Sequence, residues 1–318
     1  MSLVGAIETG GTTTRVAIAD GAPDASIRAA APTALSRSGG VPQLLAREAF
    51  ATRDPETTLA QVTAWFRGSA LDAIGVAAFG PLELRHGAAE FGSLLATPKP
   101  GWSRFPLRRA LEQALQRPVA IDTDVGAAAL AEQQAARAQG HDAATLAYVT
   151  VGTGIGVGLA LDGAIHHGAL HPEAGHLRVA RSAGDRFAGL CPFHGDCLEG
   201  LASGPALAAR AGGDPATLPA DAPELRAALA IEADYLAQLV VALIGIVAPQ
   251  RIVLGGGVLH HVGLLDAVRA RAVALVNGYS PLLADAAAAS ARLVAPLCGG
   301  DAGLIGAALL AGGGSFRE

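Results

Sequence analysis

The sequence predicts an α/β protein of two related lobes. Three observations carry this. Strand-like apolar runs alternate with helical ones, and 318 residues exceed what one small core accommodates. The third is a pattern that occurs twice: an apolar run, a Gly/Thr turn, a second apolar run, then Asp-Gly. The lobes are expected at residues 1–120, completed by a C-terminal helix at about 300–318, and at residues 121–299. The composition, 51% hydrophobic and 16% charged, is that of a globular chain and not of a disordered one. Much of the apolar content is alanine, which packs closely but carries little area per residue.

The repeated pattern reads VGAIETGGTTTRVAIADG at 4–21 and LAYVTVGTGIGVGLALDG at 146–163, so that Gly10 matches Gly152 and Asp20 matches Asp162. Each copy predicts a β-hairpin with a glycine-rich turn. Leu71 to Phe79 is a strand ending before Gly80-Pro81. Leu107 to Gln116 has helical spacing and stops before Pro118. Val119 to Ile121 is a short strand. Asp124 then precedes a helix that ends at Gly140. Leu225 to Ala248 is helical, Arg251 to Leu254 is a strand leading into three glycines, and Leu304 to Ala311 is an Ala/Leu helix.

A formal net charge of −5 leaves no footprint for nucleic acid or an anionic membrane. The first residues lack the basic and long apolar regions of a signal peptide. The apolar stretch Tyr235 to Ala248, about a dozen residues, is too short for a bilayer and reads as a buried helix. Three cysteines do not suggest a secreted disulfide framework. The expected location is the cytoplasm.

Three glycine clusters can carry chemistry: Gly10-Gly11-Thr12, Gly152-Thr153-Gly154 and Gly255-Gly256-Gly257. Glycine lets backbone N–H groups approach phosphate oxygens, and Thr hydroxyls add donors. Each cluster alone is equally a tight turn, and none matches a Gly-Lys-Ser/Thr phosphate loop or a dinucleotide fingerprint. Three together favour phosphate binding. His176, Cys191, His194 and Cys197 supply four nitrogen and sulfur donors, the number and softness a structural zinc ion needs. Four protein donors leave no open position for an activated water. The competing readings are free thiols or a Cys191–Cys197 disulfide, and His166, His167 and His171 are rival ligands. Cys298 reads as a buried small hydrophobe. Asp124, at a strand-to-helix junction, is either an N-cap or a carboxylate that accepts a hydroxyl proton. Glu173 and Glu199 bracket the Cys/His group; they are surface charges or acceptors for a polyol.

These segments together resemble the ROK family (repressors, open reading frames and kinases) of the actin-like ATPases. The resemblance spans nearly the whole chain through IETGGTTTRVAI, AAFGPLEL, LLATPKPGW, IDTDVGAAALAE, TVGTGIGVGLALDG, HPEAGH, CPFHGDCLEGLASGPA, IVLGGGV and DAGLIGAA. The ATPKPGW stretch and the Cys-Pro-Phe-His-Gly-Asp-Cys knuckle are similar to the bacterial fructokinase branch. The resemblance implies a two-lobed, duplicated ribonuclease H-like fold with a zinc-binding loop. It implies transfer of phosphate from ATP, with Mg²⁺, to O6 of D-fructose, and a homodimer. Asp124 matches the family's general base. Glu173, His176 and Glu199 match its sugar-binding positions, and His176, Cys191, His194 and Cys197 its zinc ligands. Gly10, Gly11, Thr12, Gly152, Thr153 and Gly154 would face ATP phosphates. Pro205 and Gly255 to Leu259 (Gly255, Gly256, Gly257, Val258, Leu259) would line the adenosine side. Glu8 stands where relatives often have an aspartate near Mg²⁺. Two positions depart from the family: Gly126 where Asn is usual, which touches sugar preference, and Thr13 where Lys is frequent. The alternatives are a kinase for mannose or glucose, or a non-catalytic sugar sensor. The family's repressors carry a helix-turn-helix before the first strand, and no basic helix precedes Leu3 here.

Overall fold

Both expected hairpins form in the computed structural model, which describes residues 2–21 and 40–313. Strand β1 (Leu3–Thr9) pairs antiparallel with β2 (Thr13–Asp20), with Thr9 opposite Thr14. β3 (Leu44–Ala51) adds antiparallel to β2, and helix α1 (Pro55–Phe66) follows, capped by the Asp54 carboxylate accepting from the Thr57 N–H. β4 (Ala73–Ala78) is buried throughout, as a strand covered on both faces should be. It runs parallel to β1. Helix α2 (Leu107–Leu115) leads to β5 (Val119–Thr123), parallel to β4. The first sheet therefore has the order β3-β2-β1-β4-β5.

Helix α3 (Asp124–Ala138) follows without a break. Then come β6 (Thr145–Val151), β7 (Ile155–Leu161) and the short β8 (Ala164–Ile165). Helices α4 (Leu198–Ala202), α5 (Gly204–Ala211) and α6 (Pro223–Ile246) precede β9 (Arg251–Gly255). Helices α7 (Leu264–Val276) and α8 (Ala286–Arg292), strand β10 (Leu293–Val294) and helix α9 (Ala302–Gly312) complete the chain. The second sheet, read from its short edge, has the order β8-β7-β6-β9-β10. That is the order of the first sheet strand for strand, with a parallel β6–β9 pair where the first has β1–β4. The echo in the sequence is thus a duplicated topology.

By packing, the chain divides into two units. One comprises Met1–His141, Gly158–Pro172 and Gly300–Glu318; the other comprises Asp142–Val157 and Glu173–Gly299. The expected boundary at residue 120 differs from this division, which keeps α3 with the first unit. Helix α9 is apolar all round and buried along its length, packing on β1, β4, β5 and α3. Residues 314–318 of the expected C-terminal helix lie outside the described residues.

Alanine and glycine make this packing possible. A methyl group at Gly75 of β4 would overlap the Ala307 carbonyl oxygen of α9, and one at Gly306 would overlap the Ala127 carbonyl oxygen of α3. Backbones thus approach closely, and many short contacts replace the area that large side chains would bury. Around them Ile7, Val16, Phe66, Ile74, Leu107, Leu111 and Trp102 form an apolar cluster.

The expected helix from Leu225 to Ala248 forms, but the reading that its apolar part is too short for a bilayer needs correction. Helix α6 has 24 residues, and by length and composition it could cross a bilayer. It packs instead against α4, α5 and α7, with Tyr235, Leu236, Leu239 and Val240 fully buried. It also carries Asp234, ion-paired to Arg271 of α7 at 2.5 Å.

Gly75→Ala should destabilise the protein by about 3 kcal/mol or more, because a backbone carbonyl cannot move aside as a side chain can. Denaturant unfolding measures this. An unchanged midpoint would show that β4 and α9 are not held together as described.

Candidate functional site

In the first unit, the turn joining β1 to β2 keeps a one-sided hydrogen-bond account. The Gly10 carbonyl accepts from Thr52 Oγ1 (2.9 Å) and that of Gly11 from Lys99 Nζ (2.6 Å). The Thr12 carbonyl accepts from the Thr52 N–H (2.9 Å) and that of Thr13 from the Gly10 N–H (2.8 Å). Each carbonyl of residues 10–13 therefore has a donor. The amide N–H groups of Gly11 and Thr12 have no acceptor among the described residues. Gly11, Thr12 and Thr13 are exposed, and a methyl at Gly11 would meet nothing within 4 Å. Acceptors are consumed and donors are open, which is the polarity of an anion-binding nest.

Beneath this turn, Glu8 is bound by Arg15 (Nη1 to Oε2, 3.0 Å), and Arg15 also holds Asp301 and the Gly300 carbonyl. Burial raises the Glu8 carboxyl above the usual carboxylate range, and the Arg15 charge offsets part of that.

The end of β5 places Asp124 in the first turn of α3. The cap of that helix is Thr123, whose Oγ1 accepts from the Gly126 N–H at 3.0 Å. This corrects the N-cap reading of Asp124. Its carboxylate accepts from its own neighbour, the Val125 N–H (2.8 Å), and stands half-buried at the positive end of the helix dipole. Asp122, two residues earlier, was not singled out from the sequence. It is buried, accepts from the Thr123 N–H (2.7 Å) and pairs with His167 Nε2 (2.8 Å). Together Asp122 and Thr123 explain Gly126. A Cβ there would lie 2.7 Å from Asp122 Oδ1, 2.8 Å from Thr123 Oγ1 and 3.0 Å from Ile165 Cγ2. The space an asparagine would need is filled.

In the second unit, the Gly152–Gly154 turn joins β6 to β7. The Gly152 N–H donates to the Gly154 carbonyl (2.9 Å), and the Gly204 N–H donates to that of Gly152 (2.7 Å). Pro205 follows Gly204 at the start of α5, and Gly204 also approaches Val258. Gly256 has φ +89°, and a methyl there would overlap the Val151 backbone, so the turn after β9 lies against the end of β6. The sequence-predicted residues Gly152, Thr153, Gly154, Pro205 and Gly255 to Leu259 are therefore neighbours within one unit. Glu199 joins them. Its Oε2 accepts from the Ile155 N–H at 3.0 Å, and a Cβ at Gly154 would lie 2.5 Å from that oxygen.

Two residues before Glu199, Cys197 belongs to the four-donor cluster. His176 ends a single 3₁₀ turn, Ala174–His176, preceded by the exposed Glu173. Cys191 and Gly195 close a tight bridge by exchanging backbone hydrogen bonds (3.2 and 2.9 Å), with His194 inside it. His176 Nδ1 lies 3.5 Å from Cys197 Sγ and 3.7 Å from Cys191 Sγ, and His194 Nδ1 lies 3.6 Å from Cys191 Sγ. All four donor atoms fall within 4.8 Å of one another. Zinc bonds of ~2.3 Å to sulfur and ~2.0 Å to nitrogen at tetrahedral angles put neighbouring N and S donors about 3.5 Å apart. The residues fit a tetrahedral zinc ion. Both cysteines are free thiols, so no disulfide competes. The rival histidines stand elsewhere: His167 pairs with Asp122, and His171 Nε2 accepts from the Leu82 N–H (3.0 Å). Cys298 is half-buried, short of the full burial expected.

A profile of the ROK family matches residues 4–313. A fructokinase of Zymomonas mobilis subsp. mobilis is 40% identical over 276 residues, 85% of this chain and 89% of that one. A fructokinase of Pediococcus pentosaceus is 35% identical over 311 residues, 97% of each chain. The crystal structure of a ROK hexokinase from Thermus thermophilus superposes with a TM-score of 0.72 at 28% identity, covering 97% of each chain.

The Asp122–His167 pair gives a pH dependence. Burial opposes charge on the His167 ring, but the hydrogen bond and charge of Asp122 outweigh it and raise its pKa. The pair's contribution is full below the unfolded histidine value, about 6.5, and is lost as pH rises through the folded value. The unfolding free energy of the wild type should therefore exceed that of His167→Gln by more at pH 6 than at pH 8.5. A constant difference would show that the imidazolium is not stabilised.

Proposed function

The chain belongs to the ROK family, and on that premise we propose that it transfers the γ-phosphoryl group of MgATP to O6 of D-fructose, giving fructose 6-phosphate and ADP. The observation that carries this reading is the 35% identity to a fructokinase over 97% of each chain. Within that frame, Asp124 supports a catalytic role because Thr123 already performs the capping.

Asp124 accepts the proton of the 6-hydroxyl as the O6–phosphorus bond forms and the bond from phosphorus to the ADP oxygen breaks. Such transfers depend on positioning and on neutralising the phosphates. The outward N–H groups of Gly11 and Thr12 and the Gly152–Gly154 turn bind phosphate oxygens. Pro205 and Gly255 to Leu259 line the adenosine side, and Glu8 would help hold the Mg²⁺ that arrives with ATP. Glu173 and Glu199 accept from sugar hydroxyls, since carboxylates hold polyols in fixed directions, and His176, facing the zinc site through Nδ1, donates its Nε2–H to the sugar.

Bound by His176, Cys191, His194 and Cys197, a zinc ion would supply rigidity and not an activated water, because protein donors fill its four positions. The cluster leads through α4 to Glu199 and from there to the Ile155 N–H. It thereby fixes a sugar residue and the second glycine turn at once. The reading places the enzyme in the cytoplasm, where ATP and free hexose are found.

Asp124→Asn should retain fructose and MgATP binding by calorimetry while kcat falls about 10³-fold or more. Retained turnover would show that another group takes the proton.

A further inference from the structure

Lys99 is the only lysine among the 23 lysine and arginine residues of the chain. Every other strongly basic position is arginine, so the one exception invites a physical explanation. The two side chains differ in how they carry charge. Arginine spreads donors over a planar fork, whereas lysine places three N–H groups on one compact atom at the end of a flexible stem.

The structure uses that compactness. Lys99 Nζ donates to the Gly11 carbonyl (2.6 Å) and to the Thr52 carbonyl (3.2 Å). Both acceptors belong to the frame of the first glycine turn, because Thr52 also donates to the Gly10 and Thr12 carbonyls. Two of the three N–H groups are thus spent on fixing the turn. The third has no acceptor, and the ammonium has no carboxylate partner, among the described residues. Lys99 is half-buried, so water screens its charge less than that of a surface lysine. An uncompensated cation therefore holds the carbonyl of the very residue whose amide N–H faces outward. Positive charge and open backbone donors stand on the same turn.

We propose that Lys99 is a nucleotide-contacting cation. Two of its N–H groups hold the Gly11 and Thr52 carbonyls, and the third donates to a phosphoryl oxygen of the bound nucleoside triphosphate. Arginine cannot replace it, because a planar fork does not direct three donors from one atom. The inference rests on the kinase reading for its ligand, and its geometry comes from the first unit alone.

A chain with one lysine offers a direct test. The only other primary amine is the N-terminal one, which serves as an internal control. The folded protein is acetylated with an amine-reactive reagent, and the rates at Lys99 and at the N-terminus are followed by mass spectrometry, with and without saturating MgATP. Calorimetry on the same sample measures MgATP binding independently. MgATP should slow acetylation of Lys99 about tenfold and leave the N-terminus unchanged; fructose alone should not protect. In kinetics, Lys99→Gln and Lys99→Arg should both raise KM for MgATP by about ten- to a hundredfold, the loss of one charge-assisted hydrogen bond, with KM for fructose unchanged. If MgATP binds and Lys99 is acetylated at the same rate, the proposal fails and the kinase reading stands. If MgATP does not bind at all, both fail. Full activity of Lys99→Arg would also overturn the proposal, by showing that any charge there suffices.

Discussion

The first unit depends on how closely helix α9 lies on its sheet. At Gly75 and Gly306 there is no room for a methyl group, so α9 meets β4 and α3 backbone to backbone. The same helix packs on β1 and β5. β1 ends at the turn with the outward N–H groups, and β5 ends at Asp122 and Thr123, directly before Asp124. Strand ends can be placed only as well as the strands are held. An alanine-rich chain, with little area to bury per residue, holds them by proximity.

Polar accounting then decides what each strand end can do. At the first turn the carbonyls are occupied by Thr52, Lys99 and Gly10, and the amides of Gly11 and Thr12 have no acceptor among the described residues. At the head of α3, Thr123 performs the capping, so Asp124 is not needed for it. In the second unit, Glu199 ties the glycine turn to the segment that carries the four Cys/His donors. At the first turn and at the head of α3, a second residue makes the structural contacts.

Much of this was legible in the sequence. The 142-residue echo became two sheets of identical strand order, because hairpins with glycine turns are local structures fixed by nearby residues. The four metal donors were also legible, since Cys191, His194 and Cys197 lie within one turn. β3 was not, because its exposed LLAREAFA run has no strand alternation and forms only by pairing with β2. The Asp122–His167 pair was hidden because 45 residues separate its members, and only an unused D-T-D pattern pointed to it. Thr123 was overlooked as a cap because the neighbouring aspartate is an equally good cap by residue type. Lys99 carries its signal in composition, as the one lysine of the chain.

A zinc ion held by the Cys/His cluster should organise the sugar segment of a hexose kinase. The most direct test measures bound zinc by elemental analysis and follows ADP release with fructose, mannose, glucose and N-acetylmannosamine, before and after zinc is removed. The expected result is one zinc per chain, fructose as the best acceptor, and turnover that falls when zinc leaves and returns when it is restored. Absence of turnover on every hexose, or turnover indifferent to complete zinc removal, would contradict it.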